Sequence, residues 1–159
     1  MTESSKKFPA DRASRAPQGA FHYAIPHIRL GEFDLGGVLY HARYFHLYED
    51  AREAALASIG WPYPRIMEQQ WHLAIVESHQ SFVRPVFYGK PIELRLWTEA
   101  VRRSSVVFYY ELFSTESDGF LHAAWTKNVL VSVGADSASV QPFPETLKKG
   151  LEQLAATVT

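Results

Sequence analysis

Alternation of apolar and polar residues recurs along the chain and predicts β-strands. In residues 92–99, for example, Ile92, Leu94 and Leu96 share one face, while charged residues occupy much of the other. The serine, aspartate and glycine at positions 117–119 are typical of a hairpin turn. Pro26 offers no backbone N–H, which places the first strand at an edge or at a bulge. The pattern predicts five antiparallel strands, in residues 20–30, 72–83, 92–99, 104–114 and 121–133.

A period of three to four residues replaces the alternation in residues 42–59 and predicts one long helix. Gly60 and Pro62 follow and end it. Residues 142–157 predict a second, C-terminal helix. Together these elements make an α+β fold, in which the long helix lies across the concave face of a curled five-stranded sheet. One helix covers only part of such a sheet, so we expect a second copy of the chain to cover the rest.

Composition narrows the class of protein. The chain has 159 residues and is 47% hydrophobic, enough for a buried core, and we expect one domain over residues 20–159. Residues 1–19 are mostly polar and are predicted to form a disordered tail. A net charge of −1 excludes a general attraction to nucleic acid. No apolar run is long enough for a membrane span, and the absence of cysteine fits a cytoplasmic protein without disulfides.

The loop ahead of the long helix carries the candidate chemistry. Gly36 and Gly37 allow the backbone to approach a ligand closely, and the helix starts a few residues later. The free N–H groups of a helix start bind oxyanions. A carboxylate such as Asp34 beside these donors would provide the nucleophile or base, and the oxyanion site, that acyl transfer needs. The same residues also fit a simple turn, in which Asp34 is a turn carboxylate.

The stretch from Asp34 to Arg52 follows the pattern D-x-G-G-V-x-Y-H-A-x-Y-x-x-x-Y-E-x-A-R. It closely resembles the signature of hotdog-fold thioesterases, most of all the 4-hydroxybenzoyl-CoA thioesterase-like branch, which includes the Tol–Pal-associated acyl-CoA thioesterases. The segment FVRPVFYGKPIEL resembles the same family, and the order of elements agrees over residues 20–135. The resemblance implies a hotdog fold and hydrolysis of acyl-CoA to a carboxylic acid and free CoA. It implies no metal or redox cofactor, and an active site at the interface of a homodimer or homotetramer.

Matching the motif residue by residue suggests roles for individual side chains. Asp34 matches the catalytic carboxylate, which in such enzymes either attacks the thioester or activates water. His41 falls at the helix start, where the family uses a backbone N–H to polarise the thioester carbonyl, and its ring could help to orient water. Gly36, Gly37 and Tyr40 would contact the substrate. On the helix, Glu49 and Arg52 are predicted to pair three residues apart.

A second candidate site is the basic turn between two predicted strands, formed by Arg102, Arg103, Ser104 and Ser105. A near-neutral protein needs a local basic cluster to hold the phosphates of CoA, and similar enzymes place basic and hydroxyl residues at this position. The alternative is an ordinary solvated hairpin.

Two other functions use the same fold. A non-catalytic module that binds acyl-CoA or acyl-carrier protein would share the scaffold, but it gains nothing from a carboxylate facing a thioester. A hotdog dehydratase would require a histidine followed by a PGxP-type helix entry, which this chain lacks. We therefore expect an acyl-CoA thioesterase.

Overall fold

The computed structural model describes residues 13–117, 119–134 and 136–155. Two 3-10 turns, Leu30–Glu32 and His41–Arg43, precede the long helix. The helices are α1 (Tyr44–Ser58), α2 (Tyr63–Glu68) and α3 (Glu145–Gln153). The strands are β1 (Phe21–Ile25), β2 (Trp71–Phe82), β3 (Ile92–Glu99), β4 (Ser105–Ser114), β5 (Phe120–Val133) and β6 (Ala138–Val140).

These strands form one antiparallel sheet in the order β1–β3–β4–β5–β2, and β6 pairs with the end of β5. The predicted sheet, long helix and C-terminal helix are therefore confirmed, with a sixth strand added. β6 has three exposed residues, too few to show an alternating pattern. The first strand ends at Ile25, immediately before Pro26, and β1 lies at an edge as predicted.

The long helix packs on the concave face of the sheet. Its buried residues include Tyr44, Tyr48 and Leu56, while Ala51 and Ala55 let the backbone come close to the strands. The sheet meets this helix with residues of β3 and β4 that are fully buried, among them Leu94, Leu96, Phe108, Tyr110 and Leu112. Burial of each large apolar side chain contributes about 1.5–3 kcal/mol, so this layer fixes where the start of α1 lies.

The predicted pair between Glu49 and Arg52 is absent. Arg52 is buried under α1, where its Nη1 donates to the hydroxyl of Tyr110 at 3.2 Å. Glu49 is exposed on the same helix. Because Arg52 faces the sheet and Glu49 faces solvent, the contact of Arg52 with Tyr110 replaces the local pair.

Only part of the predicted disordered tail, residues 1–19, is described by the structure, which begins at residue 13. Residues 1–12 lie outside the described residues, whereas Ser14, Arg15 and Ala16 contact the sheet. The Ser14 hydroxyl donates to the Glu111 carboxylate at 2.6 Å, and the N–H groups of Arg15 and Ala16 donate at 2.9 and 3.1 Å. Glu111 alternates with core residues along β4, so these contacts lie on the face opposite α1. Residues 14–16 therefore lie against the sheet, and disorder of the tail stays a prediction.

Candidate active site

The loop that carries Asp34 is closed by a bridge between Phe33 and Leu39. The Asp34 N–H donates to the Val38 carbonyl at 2.9 Å, and the Gly37 N–H donates to the Asp34 carbonyl at 3.0 Å. Asp34 Oδ1 also accepts the N–H groups of Gly36 at 2.8 Å and Val38 at 3.2 Å. One carboxylate oxygen therefore stabilises the turn. The second, Oδ2, has no hydrogen-bond partner within the described part of the chain, and Asp34 is exposed.

Both glycines are required by this turn. A Cβ atom at position 36 would lie 3.2 Å from Asp34 Oδ1, so a larger residue would crowd the carboxylate. Gly37 has φ +74°, in the left-handed region that favours glycine. Neither residue lines the cleft described below, so both shape the loop around Asp34.

The start of the helix provides unpaired backbone donors. Tyr40 precedes the 3-10 turn His41–Arg43, and no side chain caps it. The N–H groups of His41 and Ala42 have no acceptor within the turn, because the first donors of any helix lack one. The His41 ring is exposed and lies 4.3 Å from the Tyr40 ring, measured between centroids. These free N–H groups can therefore bind an oxyanion from solvent.

An open cleft of about 490 Å³ brings the two halves of this candidate site together. The cleft is lined by Asp34, Val38, Leu39, Tyr40, His41, Tyr44, Phe82, Val83, Arg84 and Pro85. Phe82 and Arg84 come from the end of β2, far from the motif in sequence, and only the fold places them here. The predicted site residues Asp34, Tyr40 and His41 thus share one surface.

Behind the cleft lies a layer of buried rings that sequence reasoning missed. Tyr44 stacks on His122 with a centroid distance of 4.3 Å, and Phe82 meets the same imidazole edge-on at 4.8 Å. Burial lowers the pKa of His122 to about 3 and raises the pKa of Tyr44 to about 12, so both are neutral near pH 7. The wall behind Asp34 therefore adds no charge to the cleft. His122 shares its face of β5 with Thr126 and Asn128, so the alternation along the strand gave no sign that this face is buried.

The basic turn lies at the other end of the sheet. The Asp34 loop pairs with Phe87, ahead of β3, whereas the turn that contains Arg102 follows the end of β3. β3 has 8 residues and spans roughly 25 Å, so one chain does not bring Asp34 and this turn together. The turn is held by its backbone. Arg103 and Ser104 accept N–H groups through their carbonyls, Arg102 donates to the Ser105 carbonyl, and both arginine side chains are exposed.

The described residues contain neither a metal site nor a membrane-spanning helix. Across residues 13–117, 119–134 and 136–155, no group of three or more His, Asp or Glu side chains is arranged to hold a metal ion. None of the described helices is both long and apolar enough to cross a membrane.

Comparison with known sequences places this geometry in context. Residues 28–151 match the thioesterase-like superfamily. A putative esterase of Aquifex aeolicus is 27% identical over 121 residues, which cover 76% of this chain and 93% of that protein. A 1,4-dihydroxy-2-naphthoyl-CoA hydrolase of Gloeothece citriformis is 28% identical over 107 residues, covering 66% of this chain and 75% of the relative.

Solved structures share the same architecture. A hypothetical protein from Aquifex aeolicus superposes with a TM-score of 0.73 at 28% identity, covering 84% of this chain and 98% of the other. A mutant 4-hydroxybenzoyl-CoA thioesterase in complex with 4-hydroxybenzoyl-CoA gives a TM-score of 0.74 at 16% identity, covering 86% and 99%. The second likeness shows the fold alone.

Proposed function

The chain belongs to the thioesterase-like superfamily and is a thioester hydrolase, and on this premise we propose that it cleaves an acyl-CoA to a carboxylic acid and free CoA. The observation that supports the proposal is the shared cleft, whose lining includes both Asp34 and His41, the residue at the helix start. In this proposal Asp34 is the nucleophile or general base, and the backbone near His41 is the oxyanion site.

The chemistry follows from these two groups. The thioester carbonyl oxygen accepts the N–H groups at His41 and Ala42, which stabilise the negative charge that develops on it. Asp34 Oδ2 then either attacks the carbonyl carbon or removes a proton from an attacking water. Attack expels CoA thiolate and leaves an anhydride, which water hydrolyses to regenerate the carboxylate. Activation of water leads to the acid directly. In both routes the bonds to Oδ1 hold the carboxylate in place.

An aromatic or other apolar acyl group suits the wall of the cleft. Tyr40, Tyr44 and Phe82 present rings to it, and the pKa of Tyr44 keeps its hydroxyl neutral. The relative from Gloeothece citriformis, named a 1,4-dihydroxy-2-naphthoyl-CoA hydrolase, acts on an aromatic acyl group. These features support an aromatic acyl-CoA as the substrate in the cytoplasm, where a chain without cysteine needs no oxidising compartment.

A homodimer would complete the site. β2 forms one edge of the sheet over 12 residues, and it exposes the apolar side chains of Ile75, Val76 and Phe82. Exposed strand edges of this length pair readily with another chain. A second copy would bring its own Arg102–Ser105 turn toward the Asp34 cleft. In a single chain this turn lies at the other end of the sheet, away from the phosphates of a CoA bound in the cleft.

Replacement of Asp34 by Asn tests the proposal. Asn Oδ1 can still accept the N–H groups of Gly36 and Val38, so the turn and the thermal stability should be retained. Loss of the second carboxylate oxygen should lower kcat by at least roughly 100-fold, the scale of a positioned base or nucleophile. The measurement is steady-state hydrolysis of acyl-CoAs with short, long and aromatic acyl groups.

The matched control is Asp136→Asn, the same chemical change at an exposed position beyond β5. It should leave kcat unchanged. A near wild-type rate in Asp34→Asn would reduce Asp34 to a turn residue. A wild-type protein that binds acyl-CoA but hydrolyses none would favour the non-catalytic binding module.

A further inference from the structure

A carboxylate outside the cleft joins the two halves of the proposed site. Glu32 ends the first 3-10 turn, two residues before Asp34, and its carbonyl accepts the N–H of Tyr40 at 3.0 Å. Tyr40 in turn directly precedes His41. The backbone of Glu32 therefore ties the strand entering the Asp34 loop to the residue that begins the helix.

The side chain of Glu32 makes a second connection. Its Oε2 lies 3.4 Å from Arg43 Nε and 3.5 Å from His46 Nδ1. Neither nitrogen forms a hydrogen bond with Oε2, and Oε2 is buried. The negative charge of this oxygen is therefore offset only by the positive charge of its neighbours. Arg43 provides a permanent charge, and His46 adds to it when protonated.

The two partners of Glu32 lie where the oxyanion site is formed. Arg43 closes the 3-10 turn that begins at His41, and His46 is in the first turn of α1. A buried carboxylate oxygen is costly unless charges stay near it, so Glu32 resists any movement that carries the helix start away from the loop.

Glu32 lies outside the cleft that is proposed to bind the substrate. It lines a separate cavity of about 430 Å³, together with Arg43, His46 and residues of β1, and it is absent from the lining of the Asp34 cleft. Any effect on hydrolysis must therefore act through the residues that it holds.

We propose that Glu32 is a positioning residue, whose carboxylate fixes the His41 N–H at the correct separation from Asp34 through its ion pair with Arg43. The inference rests on the proposed hydrolysis of acyl-CoA. Misplacement of a reacting group by about 1 Å costs about 100-fold in rate, so a small shift of this turn is enough to be measured.

The substitution Glu32→Gln tests this role, because it keeps the shape of the side chain and removes its charge. We expect kcat per folded molecule to fall roughly 10- to 100-fold, with KM within about twofold of wild type, since the contacts that bind CoA are untouched. Glu68→Gln, the same change at the exposed end of α2, is the matched control and should leave both constants unchanged.

Variants of Arg43, the other partner in the ion pair, provide an independent test. Arg43→Gln should lower kcat to a similar extent, and the double variant should fall no further than either single one, because both remove the same interaction. Arg43→Lys keeps the charge and should retain most of the activity. Should Glu32→Gln fail to fold, the Arg43 variants decide the question.

The possible results distinguish the positioning role of Glu32 from the proposed hydrolysis of acyl-CoA. A folded Glu32→Gln protein with wild-type kcat, or a rise in KM alone, overturns the positioning role and leaves the thioesterase intact. A lower melting temperature with unchanged kcat also overturns it, since that is the effect of a merely structural residue. A wild-type protein without activity toward any acyl-CoA overturns the proposed function, and the role of Glu32 with it.

Discussion

At the scale of single residues, burial sets the charge of His122. The ring is fully buried, and its Nε2 contacts the hydroxyl of Tyr48. Its pKa of about 3 in the folded protein compares with about 6.5 in an unfolded chain. The unfolded chain therefore binds a proton between pH 6.5 and pH 3 that the folded protein does not bind. The free energy of unfolding must decrease as the pH falls through this window, and this group has no effect above it.

We predict that His122→Gln weakens this dependence. In wild type, His122 should contribute up to about 1.4 kcal/mol per pH unit below pH 6.5, and Gln removes the titrating group. Tyr44 and Tyr48, the titratable neighbours of the ring, stay neutral throughout because burial raises their pKa. Urea denaturation at several pH values between 7 and 4 measures the slopes. Equal slopes in both proteins would contradict the burial argument. The exposed His79→Gln serves as the control and should keep the wild-type slope.

Several single residues of the site lay beyond sequence reasoning. Asp34 and His41 were predictable because both belong to one local motif, which runs from Asp34 to Arg52. Phe82, Arg84 and His122 reach the site only because the ends of β2 and β5 meet behind it, as pairing of Phe82 with His122 shows. The spacing of residues along a chain does not reveal which distant strands become neighbours.

At the scale of elements, α3 depends on one glycine. A Cβ at position 150 would lie 2.8 Å from Ile59 Cδ1 and 3.0 Å from Ile59 Cβ. The second atom is close to the backbone of Ile59 and cannot swing away. The absence of a side chain on Gly150 therefore allows α3 to pack on Ile59, the residue that follows α1.

We predict that Gly150→Ala destabilises the protein although Ala is the better helix former. The propensity gain is about 1 kcal/mol, and overpacking costs about 1–3 kcal/mol, so the net loss should be roughly 1 kcal/mol. Combination with Ile59→Ala should remove the contact with Cδ1 and leave only that with Cβ, so Gly150→Ala should cost less in that background. Denaturant unfolding of the four proteins measures the coupling, and additive effects would show that the two residues do not meet.

The boundaries of elements were predicted less well than their order. Periodicity placed the long helix at residues 42–59, yet α1 begins at Tyr44, because a 3-10 turn has the same local sequence preferences. The helix predicted for residues 142–157 is observed from Glu145 to Gln153, directly after Pro144. Ser14 to Ala16 are held by Glu111, whose distance along the chain hides the contact from any local pattern.

At the scale of the whole molecule, the distance between Asp34 and the basic turn leads to a prediction about assembly. Replacing Arg102 and Arg103 by Ala should raise KM for acyl-CoA roughly 10- to 100-fold with little change in kcat, because contacts to CoA act equally in ground and transition states. In a dimer, the arginines of one copy would serve the Asp34 of the other. Light scattering should then give a mass of at least twice 18.1 kDa.

Mixed dimers test the exchange directly. A dimer of one Asp34→Asn chain and one Arg102→Ala/Arg103→Ala chain contains one site with both an intact carboxylate and intact arginines. After co-refolding, the mixture should therefore regain a component with the low KM of wild type. If only the high KM appears, the turn acts within its own chain or not at all, and a stable, fully active monomer would remove the interface site altogether.

The two oxygens of the Asp34 carboxylate differ in their contacts, and this difference has an evolutionary consequence. One oxygen holds the loop and the other has no partner among the described residues, so under the proposed mechanism loop stability and hydrolysis can be lost separately. Under the proposed mechanism, a single base change from an aspartate codon to an asparagine codon would preserve the loop and lower kcat by at least roughly 100-fold. If Asp34 has the proposed role, the fold would give rise to a non-catalytic acyl-CoA binder in one mutational step, without passing through an unstable ancestor. A change to glutamate, which cannot place its oxygen at the same point of the turn, leads to no such descendant.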